Sequence, residues 1–398
     1  MNRYMPSPTV IKLFVFVGFV WAAVAGPISA VLILDTVGAA STQIGVVMAI
    51  CAVISMLFQP MWGYISDKIG SPRRVLCFCL GGSALFFGCI MFTRNIYMVA
   101  GLLFLDIFFR CGVIALLDSH TLSEIKAIPG LQYSNIRLAG SIFFGGLSLI
   151  YSRVINTWSV MAIIPISVAI AVISLFWGLF IAKGHQENAN DTDMGIRRAK
   201  PNLRRDAASL LKNRPYMLLI IFAAFSSLAI SPLFVFMIEY VNAVGGHAGH
   251  VPLIHALRCA VEIPAFLLVG TLGKRVRAKK LMLLGACFSL VYIGGLLFAN
   301  SFYLLALSHL AAGAPGFILG LTGRLRYINE TTPESVRSTS ITFMGTCEIG
   351  LGAIIGNLTA GFVLEAYGIT ALTFVSLTVL LVGMLLLLFI PGKAPQEI

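Results

Sequence analysis

Apolar runs of about twenty residues recur along the whole chain, and short polar stretches separate them. As a helix, twenty apolar residues span about 30 Å, the thickness of a bilayer's hydrocarbon core. The pattern predicts about twelve spans, near 11–36, 42–66, 73–93, 96–124, 130–154, 158–182, 215–241, 250–272, 280–299, 302–325, 335–363 and 368–391. Gly26-Pro27, Pro60, Pro165, Pro232, Pro264 and Pro315 fall inside them. Such breakers are tolerated in membrane helices and mark bends. The first run, Leu13 to Leu34, is longer than the apolar region of a signal peptide, so it reads as an uncleaved first helix.

One polar stretch is long, from Lys183 to Arg214, and it turns basic towards its end. It divides the spans six and six. The chain therefore reads as an all-α polytopic membrane protein with two six-helix halves, 1–182 and 215–398, joined by a cytoplasmic linker at 183–214. Asn190-Asp191-Thr192 matches a glycosylation sequon, which a cytoplasmic position leaves unused. The loop Gly273–Lys280 stands where a second half would repeat the hairpin of the first, and it keeps the basic charge without the acid. Two halves related by an axis along the membrane normal are the expected result.

Composition supports this class. Of 398 residues, 58% are hydrophobic and 11% charged, against about 25% charged in soluble domains. The net charge of +12 raises the question of nucleic acid. Its distribution answers otherwise. With the N-terminus in the cytoplasm, the tails and even-numbered loops hold 23 of the 28 Lys and Arg, Arg324 among them. Only Arg94 and Arg153 fall on the other side, and Arg110, Arg137 and Arg258 fall within spans. This positive-inside bias places both termini in the cytoplasm of an inner or plasma membrane. The eight cysteines all lie in apolar stretches with no metal-spaced pair, so they read as small buried residues.

Between the second and third spans, Leu57 to Arg74 carries Gly63, Asp67, Lys68, Gly70, Arg73 and Arg74, spaced G-x-x-x-D-K-x-G-x-x-R-R. Here glycines would let helix ends approach closely, and Asp67 would accept charge-assisted hydrogen bonds from helix ends or basic side chains. No phosphate-binding G-x-x-x-x-G-K-[ST], no H-E-x-x-H and no G-x-S-x-G occurs. ATP-driven transport and the common hydrolase chemistries thus lack support, and neither an enzyme, a metal nor an organic cofactor is expected.

Ionisable groups at bilayer depth are costly unless paired or facing water. The spans hold Asp106, Arg110, Asp118, Arg137, Glu239, Arg258, Glu262 and Glu348, with His255 and His309. Asp118 and Arg137 flank the turn at 127–130, each roughly 10 Å into its helix, so the two can meet. They read as a helix-pinning salt bridge or as a substrate clamp, with Arg137 offering a fork to a hydroxyl pair or carboxylate. Glu262 lies near the centre of the eighth span with Arg258 one turn earlier on the same face. Burial and a neighbouring arginine push its proton affinity in opposite directions, which suits proton exchange. Asp106 and Arg110 read as a structural i,i+4 pair. Glu348 is a second proton-site candidate with no evident partner.

These residues resemble the major facilitator superfamily, and within it the group of lactose, nucleoside and phenylpropionate permeases. The hairpin matches the superfamily's loop motif. Ser41 to Asp67, Tyr133 to Ser141, Ala260 to Pro264, Ser308-His309, Arg326 to Ile328, Pro333 and Arg337 are similar to further elements of the group. The resemblance implies a twelve-helix proton symporter working by alternating access. It implies that Asp118 and Arg137 bind substrate, and that Glu262 and His309 are the coupled acid and histidine. The chain departs from the group in places. The sugar-stacking tryptophan falls at Phe144, the helix-ten glutamate at Ala312 and the first helix-five arginine at Asn135, and the ninth span is uncharged.

The resulting expectation is proton-coupled uptake of a small polar solute: a sugar, nucleoside or aromatic acid. Asp118, Arg137 and His309 would bind it, Phe144 and Trp21 would give apolar or stacking surface, and Glu262, Arg258, His309 and Glu348 would handle the proton. A bilayer, a small molecule and a proton are then the only partners expected, with the chain a monomer. Proton-antiport efflux of drugs or sugars and a non-transporting receptor are the alternatives.

Overall fold

The computed structural model describes residues 8–24, 26–126, 128, 131, 133–180, 212–272, 276–310, 314–332 and 337–391. Most of the linker expected at 183–214, the turn around Pro129, Lys274, Ala312 and Pro333 lie outside the described residues. Among the described residues every regular element is helical.

The first apolar run forms α1 (Pro8–Ala23) and α2 (Gly26–Thr36). The break falls beside Gly26-Pro27, where Pro27 has no N–H for a bond back to Ala23. Then come α3 (Ser41–Ile69), which continues through Pro60, and α4 (Pro72–Cys89). Between them Gly70 adopts φ 67°, and its N–H donates to Ser66 O at 2.9 Å. A glycine is the residue that closes a helix in this left-handed conformation without strain. The run expected at 96–124 is two helices, α5 (Ile96–Arg110) and α6 (Val113–Lys126). Asn95 caps the first, accepting from the N–H groups of Tyr97 and Met98 at 2.9 and 3.3 Å. Next are α7 (Tyr133–Thr157) and α8 (Ile163–Phe180).

The later part holds α9 (Arg214–Val235), α10 (Met237–Ala243), α11 (His250–Leu272) and α12 (Ala278–Phe298). The run expected at 302–325 holds α13 (Phe302–Ser308) and α14 (Ala314–Thr331), and it ends six residues later than expected, at 331 rather than 325. Then α15 (Arg337–Gly345) passes through a π-helical turn, Thr346–Gly352, into α16 (Ala353–Leu388). Gly368, at φ 79° and ψ 179°, interrupts α16 where the last two apolar runs meet. Among the described residues, eight helical segments are long and apolar enough to cross a membrane.

Packing divides the chain into two compact units. The first comprises Met1–Ala39, Val53–Met194 and Ala248–Ala260, and the second Ala40–Ala52, Gly195–His247 and Val261–Ile398. In the first, Phe16 and Val20 of α1 share a core with Trp62, Leu76, Leu117 and Ala139. In the second, Tyr216, Phe222, Met282, Tyr327 and Leu387 share another, and the Tyr216 hydroxyl donates to Ser340 O at 2.7 Å.

Helices in lipid gain little from apolar burial against each other, so close packing through small residues carries their association. Within the second unit, the first turns of α3 lie against α16 at such a contact. A Cβ on Gly361 would sit 2.7 Å from Ser41 O, and one on Gly45 would sit 2.6 Å from Asn357 O. Beside it the Thr42 N–H donates to Glu365 Oε2 at 2.9 Å. Gly361→Val is therefore expected to force backbone apart and lower stability by about 1–3 kcal/mol. Thermal melting of the purified protein checks this. Gly63→Ala, with nothing within 4 Å of the added carbon, is expected to melt with the parent.

Candidate functional site

In the first unit the side chains of Trp21 and Arg137 form one feature. The Arg137 guanidinium carbon lies 3.6 Å from the centre of the Trp21 ring. This cation–π stack is worth roughly 0.5–2 kcal/mol, rising as water is excluded. It restrains the guanidinium against the ring. Trp21 Nε1 is buried and has no hydrogen-bond partner among the described residues. Gly140 makes room for the stack. A Cβ there would lie 2.6 Å from Arg137 Nη1 and 2.8 Å from Trp21 Cγ. Phe143 closes the neighbourhood, with its ring against Gly18 and edge-on to Phe19 at 5.1 Å. Phe144, one position on, is half-buried, as is Asp118 on α6. The site is thus an arginine fork on an indole face, with an indole N–H beside it. That chemistry suits a ring bearing hydroxyl groups.

In the second unit His309 is fully buried in an aromatic setting. Its Nδ1 lies 3.2 Å from the Tyr292 hydroxyl, and its ring is edge-on to Tyr292 at 5.2 Å and to Phe234 at 5.4 Å. Along α11, Arg258 falls in the stretch assigned to the first unit and Glu262 in that of the second, one turn apart and both half-buried. Glu348 does have a partner, contrary to the reading of its span alone. Arg324 Nη2 donates to Glu348 Oε1 at 2.8 Å. The reason is the length of α14. Arg324 was counted with the cytoplasmic loop charges, but the helix runs on to Thr331 and leaves Arg324 buried.

A family model described as the MFS_1 like family matches residues 9–376. The chain belongs to this family of major facilitator transporters. It is similar to a maltose permease of Geobacillus stearothermophilus, 24% identical over 391 residues, covering 97% of this chain and 95% of that protein. It is also similar to the uncharacterized transporter YwbF of Bacillus subtilis, 22% identical over 335 residues, covering 83% of this chain and 80% of that one. Among solved structures, the nucleoside transporter NupG superposes with a TM-score of 0.78 at 17% identity, covering 96% of this chain and 98% of that one. A bacterial homologue of the lysosomal transporter Spinster does so with a TM-score of 0.70 at 12% identity, over the full length of both.

In this major facilitator transporter the loop motif has a specific local geometry. Gly70 serves its positive φ, as above. Gly63 does not serve close approach, because a Cβ there would meet nothing within 4 Å. Asp67 and Lys68 are exposed, and Arg73 is half-buried. The cysteines among the described residues are all free thiols. Two residues escaped the pattern of charges. Gly140 is one, since a glycine one turn after an arginine carries no signal until the tryptophan is seen to lie across it. His120 is the other. It is buried, 3.9 Å from Glu124 Oε1 and edge-on to Phe16 at 6.0 Å. Its position just past Asp118, near the end of a span, hid it.

Proposed function

We propose that this secondary transporter is a proton-coupled symporter for a sugar or a sugar-bearing solute such as a nucleoside. The observation that carries the reading is the Arg137 fork laid on Trp21 beside a buried indole N–H. Two donors on an aromatic face match a sugar ring, whose hydroxyls accept and whose C–H faces stack. The maltose permease and nucleoside transporter among its relatives carry the same ring chemistry in the solutes they are named for. Asp118 supplies the acceptor for the hydroxyl protons. Glu262, with Arg258 one turn away, exchanges the proton with help from His309. Both termini face the cytoplasm, and the basic loops hold that orientation. Coupling arises because proton and solute together favour reorientation, whereas either alone does not.

Proteoliposomes with an imposed inward proton gradient test this reading. They are expected to accumulate labelled maltose or uridine, and Glu262→Gln is expected to abolish gradient-driven accumulation while leaving exchange of internal for external solute. Emptying of preloaded vesicles under the same gradient would establish antiport instead. Full accumulation in Glu262→Gln would remove Glu262 from the proton path.

A further inference from the structure

We infer that Arg324 and Glu348 form a second binding point for hydroxyl groups of the solute, the second unit's counterpart of the Asp118 and Arg137 positions with acid and base exchanged. The inference rests on the sugar-transport reading above. Three observations carry it.

The first is register. The fourth apolar run of each half carries two helices, α5–α6 and α13–α14, and the partner charge follows it, Arg137 on α7 and Glu348 in the turn after α15. Asp118 stands 22 residues after the start of α5, and Arg324 stands 22 residues after the start of α13 (118 − 96 and 324 − 302). In a chain built of two six-helix repeats such positions are sequence equivalents. In the first unit the acid comes before the arginine; in the second, Arg324 comes before Glu348.

The second is incomplete satisfaction. Arg324 is 5% exposed and Glu348 about one-fifth exposed. A buried ion pair offsets its desolvation only when the remaining donors and lone pairs are also satisfied. Arg324 Nη2 meets Glu348 Oε1, but Arg324 Nε is buried with no partner among the described residues. Gly320, one turn earlier, puts no side chain over the guanidinium. A pair that only pinned two helices would have no use for an unsatisfied N–H. A vicinal diol uses it well: Nε–H donates to one hydroxyl oxygen, and the carboxylate accepts the proton of the other. A carboxylate ligand is disfavoured, because Glu348 would face it.

The third is the backbone. Glu348 sits in the π-helical turn Thr346–Gly352. Such turns occur mostly as single insertions at functional sites, because they cost hydrogen-bond geometry. Here the turn carries the carboxylate that Arg324 meets.

The test uses the full chain in proteoliposomes, with maltose and uridine as probes and thermal melting as the control for folding. The swapped double variant Arg324→Glu/Glu348→Arg restores an ion pair. It is expected to melt with the wild type yet take up the transported probe at least roughly tenfold less well, the loss of one charge-assisted hydrogen bond. Arg324→Lys keeps the charge and removes Nε. It is expected to fold and to raise KM by a similar factor, and it decides the matter if the swapped variant does not fold. Wild-type uptake by the swapped variant, or wild-type KM in Arg324→Lys, would show a purely structural pair and overturn the inference alone. If wild-type vesicles take up neither probe above protein-free vesicles, the sugar-transport reading falls and this inference with it.

Discussion

Replacing Asp106 with alanine is expected to lower the stability of the first unit by about 3–5 kcal/mol. Asp106 is 1% exposed and uses both carboxylate oxygens. Oδ2 accepts from Arg110 Nε at 2.9 Å and Nη2 at 2.8 Å, and Oδ1 accepts from the Ser83 hydroxyl. Removing the carboxylate strands the Arg110 guanidinium, 8% exposed, in a low-dielectric interior. It also removes the link that ties α5 to Ser83 of α4. The cost comes from the uncompensated charge, not from the value of the pair. It follows that Asp106→Ala/Arg110→Leu should recover most of the lost stability, because an apolar pair often matches a buried ionic one. Asp106→Asn should fall between, keeping one acceptor and losing the charge. Thermal unfolding of the purified full chain in one detergent ranks the three variants. A double variant less stable than Asp106→Ala would show that the pair itself, not the stranded charge, stabilises the fold.

The span pattern was legible because hydropathy integrates over twenty residues, so one polar side chain does not erase it. The failures occur where a single contact decides. At the break between Arg110 and Val113, a Cβ on Gly112 would sit 2.7 Å from Trp62 Cβ, and nothing local announces that neighbour. Arg324 looked like a loop residue because Arg326 follows it. In fact Tyr327 and Ile328 are buried in the second unit's core, which keeps the helix going. Arg326 finds its own exit, with Val276 O at 2.7 Å and Glu330 at 2.6 Å. Glu348 therefore seemed alone when its partner lay 24 residues away. Adjacent aromatics pose a similar problem. Phe143 and Phe144 point about 100° apart on a helix, and only the position of Gly18 shows that Phe143 is the one packed on α1. The set of charges read within the spans lacks Arg324. Their pairing was readable for Asp106 and Arg110, four residues apart on one helix, and unreadable where it crossed from one helix to another.

Arg137→Lys is expected to raise KM for the transported sugar or nucleoside by roughly ten- to a hundredfold, the equivalent of 1.5–3 kcal/mol for hydrogen bonds to a charged group. Lysine keeps the positive charge, so simple electrostatic attraction predicts little change. The stacked geometry predicts a large one. A guanidinium carbon 3.6 Å from the centre of the Trp21 ring is held against an aromatic face, whereas an ammonium on a flexible stem cannot stack in that way or fork to two oxygens. Two further variants separate stacking from hydrogen bonding. Trp21→Phe keeps an aromatic face under the arginine but removes the indole N–H, so it should cost less than Arg137→Lys and act mainly on KM. Gly140→Ala adds a carbon that would lie 2.6 Å from Nη1, so the arginine must leave its position although every polar group survives. If positioning is what matters, Gly140→Ala should resemble Arg137→Lys in uptake while melting near the wild type. If Gly140→Ala transports normally, the stack tolerates displacement, and the charge of Arg137 alone would account for its role.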